Sequence, residues 1–222
     1  MKELLEGTNS DKVNQMSRLK TFREDIAVAD PSFEQIVQKH ILAARCETLD
    51  EIQERDLRIV VSEVFKVPIT SVCVVGSAKL GFRMFKKPAN SLKQLPERLQ
   101  FSPFDDYSDI DVAIISQANF LTHWRKVYDY FRDGGYESRS NWTGSDENHN
   151  FGFYLMQGWI RPDAMPGTGI YDQKSAWQTK VNEINAKKIA QVAIKVGLYF
   201  DEKFLVGYHA NAIRKCKERY GG

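Results

Sequence analysis

Two carboxylates interrupt an apolar run between positions 109 and 115, and this feature constrains the fold of the chain more than any other. The segment reads Asp-Ile-Asp-Val-Ala-Ile-Ile, a composition typical of a buried β-strand. Because side chains at positions i and i+2 of a strand project from the same face, Asp109 and Asp111 are expected side by side. Paired carboxylates repel each other unless a cation lies between them. The pattern therefore indicates a cation site, and the alternative is a pair of solvated carboxylates at a strand start.

A second apolar run, at 71–75, ends at Gly76-Ser77 and predicts another buried strand that leads into a tight turn. Glycine allows the backbone to approach a ligand closely, and the N–H groups of a helix that starts there would face a phosphate. The Ser77 hydroxyl adds one more donor. A Gly-Ser turn by itself is usually only a turn, so this motif gains meaning from its pairing with Asp109 and Asp111.

Hydrophobic periodicity predicts the other elements. Thr48, with Glu51 three positions later, fits a capping box at the start of one helix. The segment 83–107 contains three prolines and many charges and is expected to be an irregular insertion. The expected helices cover 11–28, 31–44, 48–65, 120–131, about 174–184 and 202–220, and the expected strands cover 71–75, 109–115, 151–160 and 188–200. This order predicts a mixed α/β or α+β domain with a helical N-terminal part.

The two motifs together, Val74-Val75-Gly76-Ser77 and Ser108-Asp109-Ile110-Asp111-Val112, resemble the nucleotidyltransferase superfamily that includes DNA polymerase beta. The resemblance implies an α+β nucleotidyltransferase fold with a mixed β-sheet over 48–222 and the insertion at 83–107. A helical N-terminal extension at 1–47 would precede it, and a C-terminal helix would close it. It also implies that Gly76 and Ser77 hold a triphosphate and that Asp109 and Asp111 bind Mg²⁺ or Mn²⁺. The motifs lie farther apart than is common in the superfamily, and the insertion accounts for this.

The superfamily also uses a third carboxylate on a later strand, often as the base that activates the attacking hydroxyl. Asp163, in Arg161-Pro162-Asp163, is the candidate by resemblance, and it would then join the metal ligands. Glu183 is the second choice. A Pro-Asp pair is also common turn chemistry, which leaves the role of Asp163 open.

Basic residues cluster in and just before the insertion, with one acid, Glu97, among them. Such a cluster suits phosphate oxygens, and the alternative is a solvated loop. Lys79, just after Ser77, is the best candidate for a triphosphate contact. The cluster comprises Lys79, Arg83, Lys86, Lys87, Lys93 and Arg98.

Composition favours a protein of the cytoplasm without membrane association. The formal net charge is +2, too small to require a nucleic-acid partner. No apolar stretch reaches membrane-spanning length, and the N-terminal residues lack the apolar core of a signal peptide. The three cysteines show no zinc-type spacing and fit a reducing compartment.

The leading hypothesis is a Mg²⁺-dependent nucleotidyltransferase that moves a nucleoside monophosphate from an NTP to an acceptor hydroxyl of a protein, an RNA or a nucleotide. Compact bacterial members of the superfamily act in toxin–antitoxin and phage-defence systems, and the resemblance extends that expectation to this chain. Two alternatives stay open. One is an inactive module of the same fold that binds a nucleotide or a partner protein, and the other is a nucleic-acid-binding protein that uses its basic segments.

Overall fold

A computed structural model describes residues 16–28, 32–90, 95–133, 151–161, 165 and 171–220 of the chain. Its fold is α+β, with a mixed four-stranded sheet in the order β1-β2-β4-β3. The strands are β1 (Val72–Val75), β2 (Ile110–Ile115), β3 (Trp159–Ile160) and β4 (Ile194–Tyr199). The helices are α1 (16–27), α2 (Phe33–Val37, continued by a π-helical turn at Gln38–Leu42), α3 (Glu51–Phe65), α4 (Gly76–Leu80), α5 (Gln117–Arg132), α6 (Phe151–Met156), α7 (Tyr171–Ala186) and α8 (Glu202–Tyr220).

The pairing of the strands follows their composition. The central strands β2 and β4 run parallel and are apolar on most positions, while β1 and β3 flank them in antiparallel pairs. The predicted strands at 71–75 and 109–115 are confirmed, and the strand expected at 188–200 is confined to β4. The insertion lies between α4 and β2. Its two arms run antiparallel and are joined by isolated bridges between Phe82 and Pro103 and between Lys87 and Arg98.

The segment 151–160 is not the strand that its aromatic content predicted. Residues 151–156 form α6, and Gly158 then reverses the chain with a φ of +64°. Only Trp159 and Ile160 pair with β4. The prediction was wrong because aromatic residues fit a pleated sheet and a short packed helix equally well. The two buried residues of α6, Phe151 and Tyr154, are three positions apart, which is the spacing of residues on one face of a helix.

The cap of α3 also differs from the prediction. Asp50, rather than Thr48, is the N-cap: its carboxylate accepts a hydrogen bond of 2.8 Å from the Gln53 amide, and the Gln53 side chain accepts one of 3.1 Å from the Asp50 amide. The Thr48 hydroxyl instead donates to the Ala78 carbonyl at 3.1 Å. Thr48 therefore ties the start of α3 to α4, and Asp50 supplies the cap.

The sheet separates two hydrophobic cores. One face packs against α3 and α7, and the other packs against α1, α2 and α8. The first core includes Val72, Val74, Ile110, Val112, Ile114, Ile194, Val196 and Leu198 from the strands. The second core takes Val75, Ala113 and Tyr199 from the strands, and Phe22, Ile26, Ile36, Val37 and Ile41 from the N-terminal helices. Strand alternation places Asp111 and Lys195 on the face of the second core.

His209 lies in the second core as a buried polar residue. It is 5% exposed, and neither ring nitrogen has a hydrogen-bond partner in the described part of the chain. Burial lowers the pKa of His209 to about 4, so the ring stays neutral in the folded protein at neutral pH.

We expect His209 to make the protein sensitive to acid. Because the unfolded chain binds a proton at this residue below about pH 6.5 and the folded chain does not until about pH 4, stability falls as the pH decreases through that window. Between pH 7 and pH 5, the free energy of unfolding should fall by about 2 kcal/mol less in a His209→Leu variant than in wild type. Urea unfolding at both pH values measures this difference. An equal loss in variant and wild type would contradict this role of burial.

Candidate metal and phosphate site

The register of the sheet brings the predicted motifs together. Val75 of β1 is paired with Asp111 of β2, and Asp111 is paired with Lys195 of β4. Gly76 follows Val75 directly and starts α4. The end of β1 and the starts of β2 and β4 therefore lie next to one another at the same end of the sheet, although the two motifs are far apart in sequence.

Gly76 touches the carboxylate of Asp111. Its φ is +68°, in the left-handed region that favours glycine, and a Cβ built on it would lie 2.9 Å from Asp111 Oδ2. Any side chain at position 76 would therefore displace the carboxylate. The sequence predicted a close backbone approach to a ligand here, whereas the structure shows a close approach to Asp111, which joins the Gly-Ser motif to the Asp-x-Asp motif.

Ionisation of the Asp111 carboxyl group is energetically unfavourable in the folded protein. Its side chain is accessible to solvent, yet protein atoms surround it closely enough to remove part of its hydration. This partial desolvation, together with the nearby negative charge of Asp109, raises the pKa of Asp111 to about 6. Among the described residues, none donates a hydrogen bond to this carboxylate or forms an ion pair with it.

Asp109, at the start of β2, has a partner. Its Oδ2 lies 2.6 Å from Lys195 Nζ, in an ion pair whose side chains are 32% and 61% exposed. Sequence reasoning missed Lys195. The signal was present, because Lys195 interrupts the apolar strand Ile194–Tyr199 as the aspartates interrupt theirs.

Lys79 has a structural role in α4. Its side chain is buried, and Nζ lies 2.9 Å from Glu54 Oε1 on α3. A phosphate contact by Lys79 would require this buried pair to open, at a cost in stability. The Ser77 hydroxyl makes no hydrogen bond within the described ranges and is half-buried.

Most basic side chains of the insertion are engaged inside it. The Arg83 guanidinium is buried and donates to Asp105, Ser108 and the Pro103 carbonyl. The other pairings are Arg98 with the Tyr107 carbonyl at 2.9 Å and Lys86 with Glu97. Lys93 lies outside the described residues.

Lys87 is the residue of the insertion that acts on the aspartates. The charges of Asp109 and Asp111 raise its pKa, while burial and Arg98 lower it more, so the pKa of Lys87 lies below its usual value. Lys87 in turn lowers the pKa of Asp111. The charge of this ammonium thus acts on the carboxylate pair without a direct bond.

The two candidates for a third carboxylate differ. Asp163 lies outside the described residues. Glu183 is exposed on α7, whose buried residues Val181 and Ile184 belong to the core on the opposite face of the sheet. Within the described ranges, no group of three His, Cys, Asp or Glu side chains is arranged to hold a metal.

An aromatic cluster lies farther along the same face of the sheet. Trp159 stacks on Tyr199 with ring centroids 5.6 Å apart, and Tyr154 and Tyr208 meet the indole edge to face. Burial, and Asp111 among other charges, raise the pKa of Tyr208 to about 12. The face of the sheet that carries the aspartates therefore also carries an aromatic cluster, which the sequence patterns did not predict.

Comparison of the chain with protein-family models, curated proteins and solved structures found no match. The described helices include none long and apolar enough to span a membrane.

Proposed function

We propose that the chain is a divalent-metal-dependent nucleotidyltransferase with a polymerase-beta-like fold. The contact between Gly76 and the Asp111 carboxylate carries this proposal, because it unites the two halves of the motif pattern in one place. The register that pairs Val75 with Asp111 supports it further. The substrate would be an NTP, and the acceptor would be a hydroxyl of a protein, an RNA or a nucleotide.

The residues present fit a divalent cation. Asp111 is accessible, lacks a partner among the described residues and is costly to ionise, so a cation beside it would be stabilising. Carboxylate oxygens are the ligands that Mg²⁺ and Mn²⁺ prefer. A metal held by Asp109 and Asp111 would neutralise charge on the phosphates during transfer.

The chain's own residues would position the reactants. Gly76 brings the start of α4 close to Asp111, and the Ser77 hydroxyl can donate to a phosphate oxygen there. The acceptor hydroxyl oxygen would bond to the α-phosphorus as the bond to the bridging α–β oxygen breaks and pyrophosphate leaves. Asp163 stays the proposed base for the hydroxyl proton and the proposed further metal ligand.

A second candidate is a module of the same fold that binds a nucleotide or a partner protein without transfer. The ion pair between Asp109 and Lys195 favours it, because an ammonium already neutralises one carboxylate. The nucleic-acid alternative has less support, since Arg83, Arg98 and Lys86 are engaged within the insertion. A cytoplasmic setting in toxin–antitoxin or phage defence remains part of the proposal.

The test is label transfer from each of the four α-labelled NTPs with Mg²⁺ or Mn²⁺ in the presence of cell extract. Wild type should label a protein, an RNA or a small product, and the Asp109→Ala/Asp111→Ala variant should not. Retained nucleotide binding without any transfer by the wild type would reject the enzyme and favour the binding module.

A further inference from the structure

Lys195 lies where strand pairing brings it against both aspartates. It is the register partner of Asp111, and its ammonium bonds Asp109 at 2.6 Å. Because strand alternation fixes the face from which it projects, Lys195 reaches this position without help from a loop. The described parts of the chain offer no other cation bonded to either carboxylate.

The ion pair changes the charge that an incoming metal meets. Two ionised aspartates carry two negative charges, and Lys195 reduces the total of the three side chains to one negative charge. The ammonium also occupies an oxygen of Asp109 that a metal would need as a ligand. A divalent ion must therefore displace Lys195, bind the remaining oxygen of Asp109 beside the ammonium, or accept Asp111 alone.

We propose that Lys195 is a built-in counter-ion of this site, which holds Asp109 when no divalent ion is bound and competes with the metal for it. The inference rests on the proposed function, since it concerns the metal of the same site. Its consequence is a low affinity for free metal, so that the site is filled when the metal arrives together with the phosphates of a nucleotide.

The effect of Lys87 on metal binding can be compared with that of Lys195. Its charge acts on Asp109 and Asp111 through space, and it forms no direct ion pair with either of them. If only the total charge mattered, Lys87 and Lys195 would weaken metal binding alike. The direct bond of Lys195 predicts that its removal has the larger effect.

The test is calorimetric titration with Mn²⁺ at low ionic strength of wild type, Lys195→Met, Lys87→Met and Lys203→Met. Lys203 is an exposed lysine of α8 and controls for the loss of one positive charge. Lys195→Met should bind Mn²⁺ about tenfold more tightly than wild type, Lys87→Met about twofold, and Lys203→Met equally. Lys195→Gln provides a second variant, and circular dichroism checks that each protein is folded.

Adding Asp111→Asn to wild type and to Lys195→Met separates the possible failures. Equal or weaker Mn²⁺ binding by both Lys195 variants, with binding still lost on Asp111→Asn, would overturn the counter-ion inference and leave the proposed function standing. Absence of Mn²⁺ binding in every variant would overturn the counter-ion inference, and its absence also in the presence of an NTP would overturn both. Tighter binding that Asp111→Asn abolishes is the expected result.

Discussion

Replacing Gly76 with alanine is expected to lower the proposed nucleotidyl transfer at least about 100-fold and to destabilise the protein. The backbone at Gly76 is left-handed, a conformation that costs a residue with a Cβ about 1–2 kcal/mol. The new methyl group would also meet Asp111 Oδ2 at 2.9 Å and push the carboxylate away from its position. Because a displacement of about 1 Å in a catalytic group can cost about 100-fold in rate, transfer should fall at least that far.

Urea unfolding and label transfer measure the two effects, and Gly207→Ala is the matched control. Gly207 lies within α8 with open space where its Cβ would be, so alanine there should stabilise the protein by about 0.5–1 kcal/mol and leave transfer unchanged. Normal transfer by Gly76→Ala would show that the contact with Asp111 is not part of the active site.

Replacing Asp111 with asparagine should eliminate transfer and yet raise stability at neutral pH. The neutral amide cannot neutralise a cation as a carboxylate does, and we expect transfer to fall at least about 1000-fold. The pKa of Asp111 is about 6 in the folded protein, above its ordinary value of 3.8. The folded state therefore binds more protons than the unfolded state between those values, and ionised Asp111 destabilises the fold as the pH rises through them.

The midpoint of thermal unfolding should consequently be higher for Asp111→Asn than for wild type at pH 7, and the difference should shrink as the pH falls and become negligible at about pH 3. Asp106→Asn is the control, because Asp106 is exposed and its substitution removes the same negative charge a few residues away. A variant that is less stable than wild type at pH 7 would mean that Asp111 has a stabilising partner, contrary to its isolated position among the described residues.

The buried strands and the long helices could be predicted from the sequence because their patterns are local. The apolar run of β1 and the interrupted run of β2 each match their strand, and the periodicity over 202–220 matches α8. Aromatic content did not distinguish strand from helix at 151–160, since Phe151 and Tyr154 are buried on a helix and their packing partners lie elsewhere in the chain.

Only those residues of the candidate site that interrupt or end an apolar strand pattern could be predicted from the sequence. Gly76 and Asp111 stood out within apolar runs, whereas their contact depends on a register that only the folded sheet reveals. Lys195 broke its own strand pattern but carried no motif. The side-chain partner of Lys79 depends on long-range packing, because Glu54 lies on α3.

A structure of the protein with Mn²⁺ and a non-hydrolysable NTP analogue, with the ion located by its anomalous scattering, tests the central claim most directly. The proposed site predicts an ion about 2.1 Å from carboxylate oxygens of both Asp109 and Asp111, with phosphate oxygens against Gly76 and Ser77. Nucleotide bound elsewhere, or bound here with Lys195 still on Asp109 and no ion between the aspartates, would contradict it.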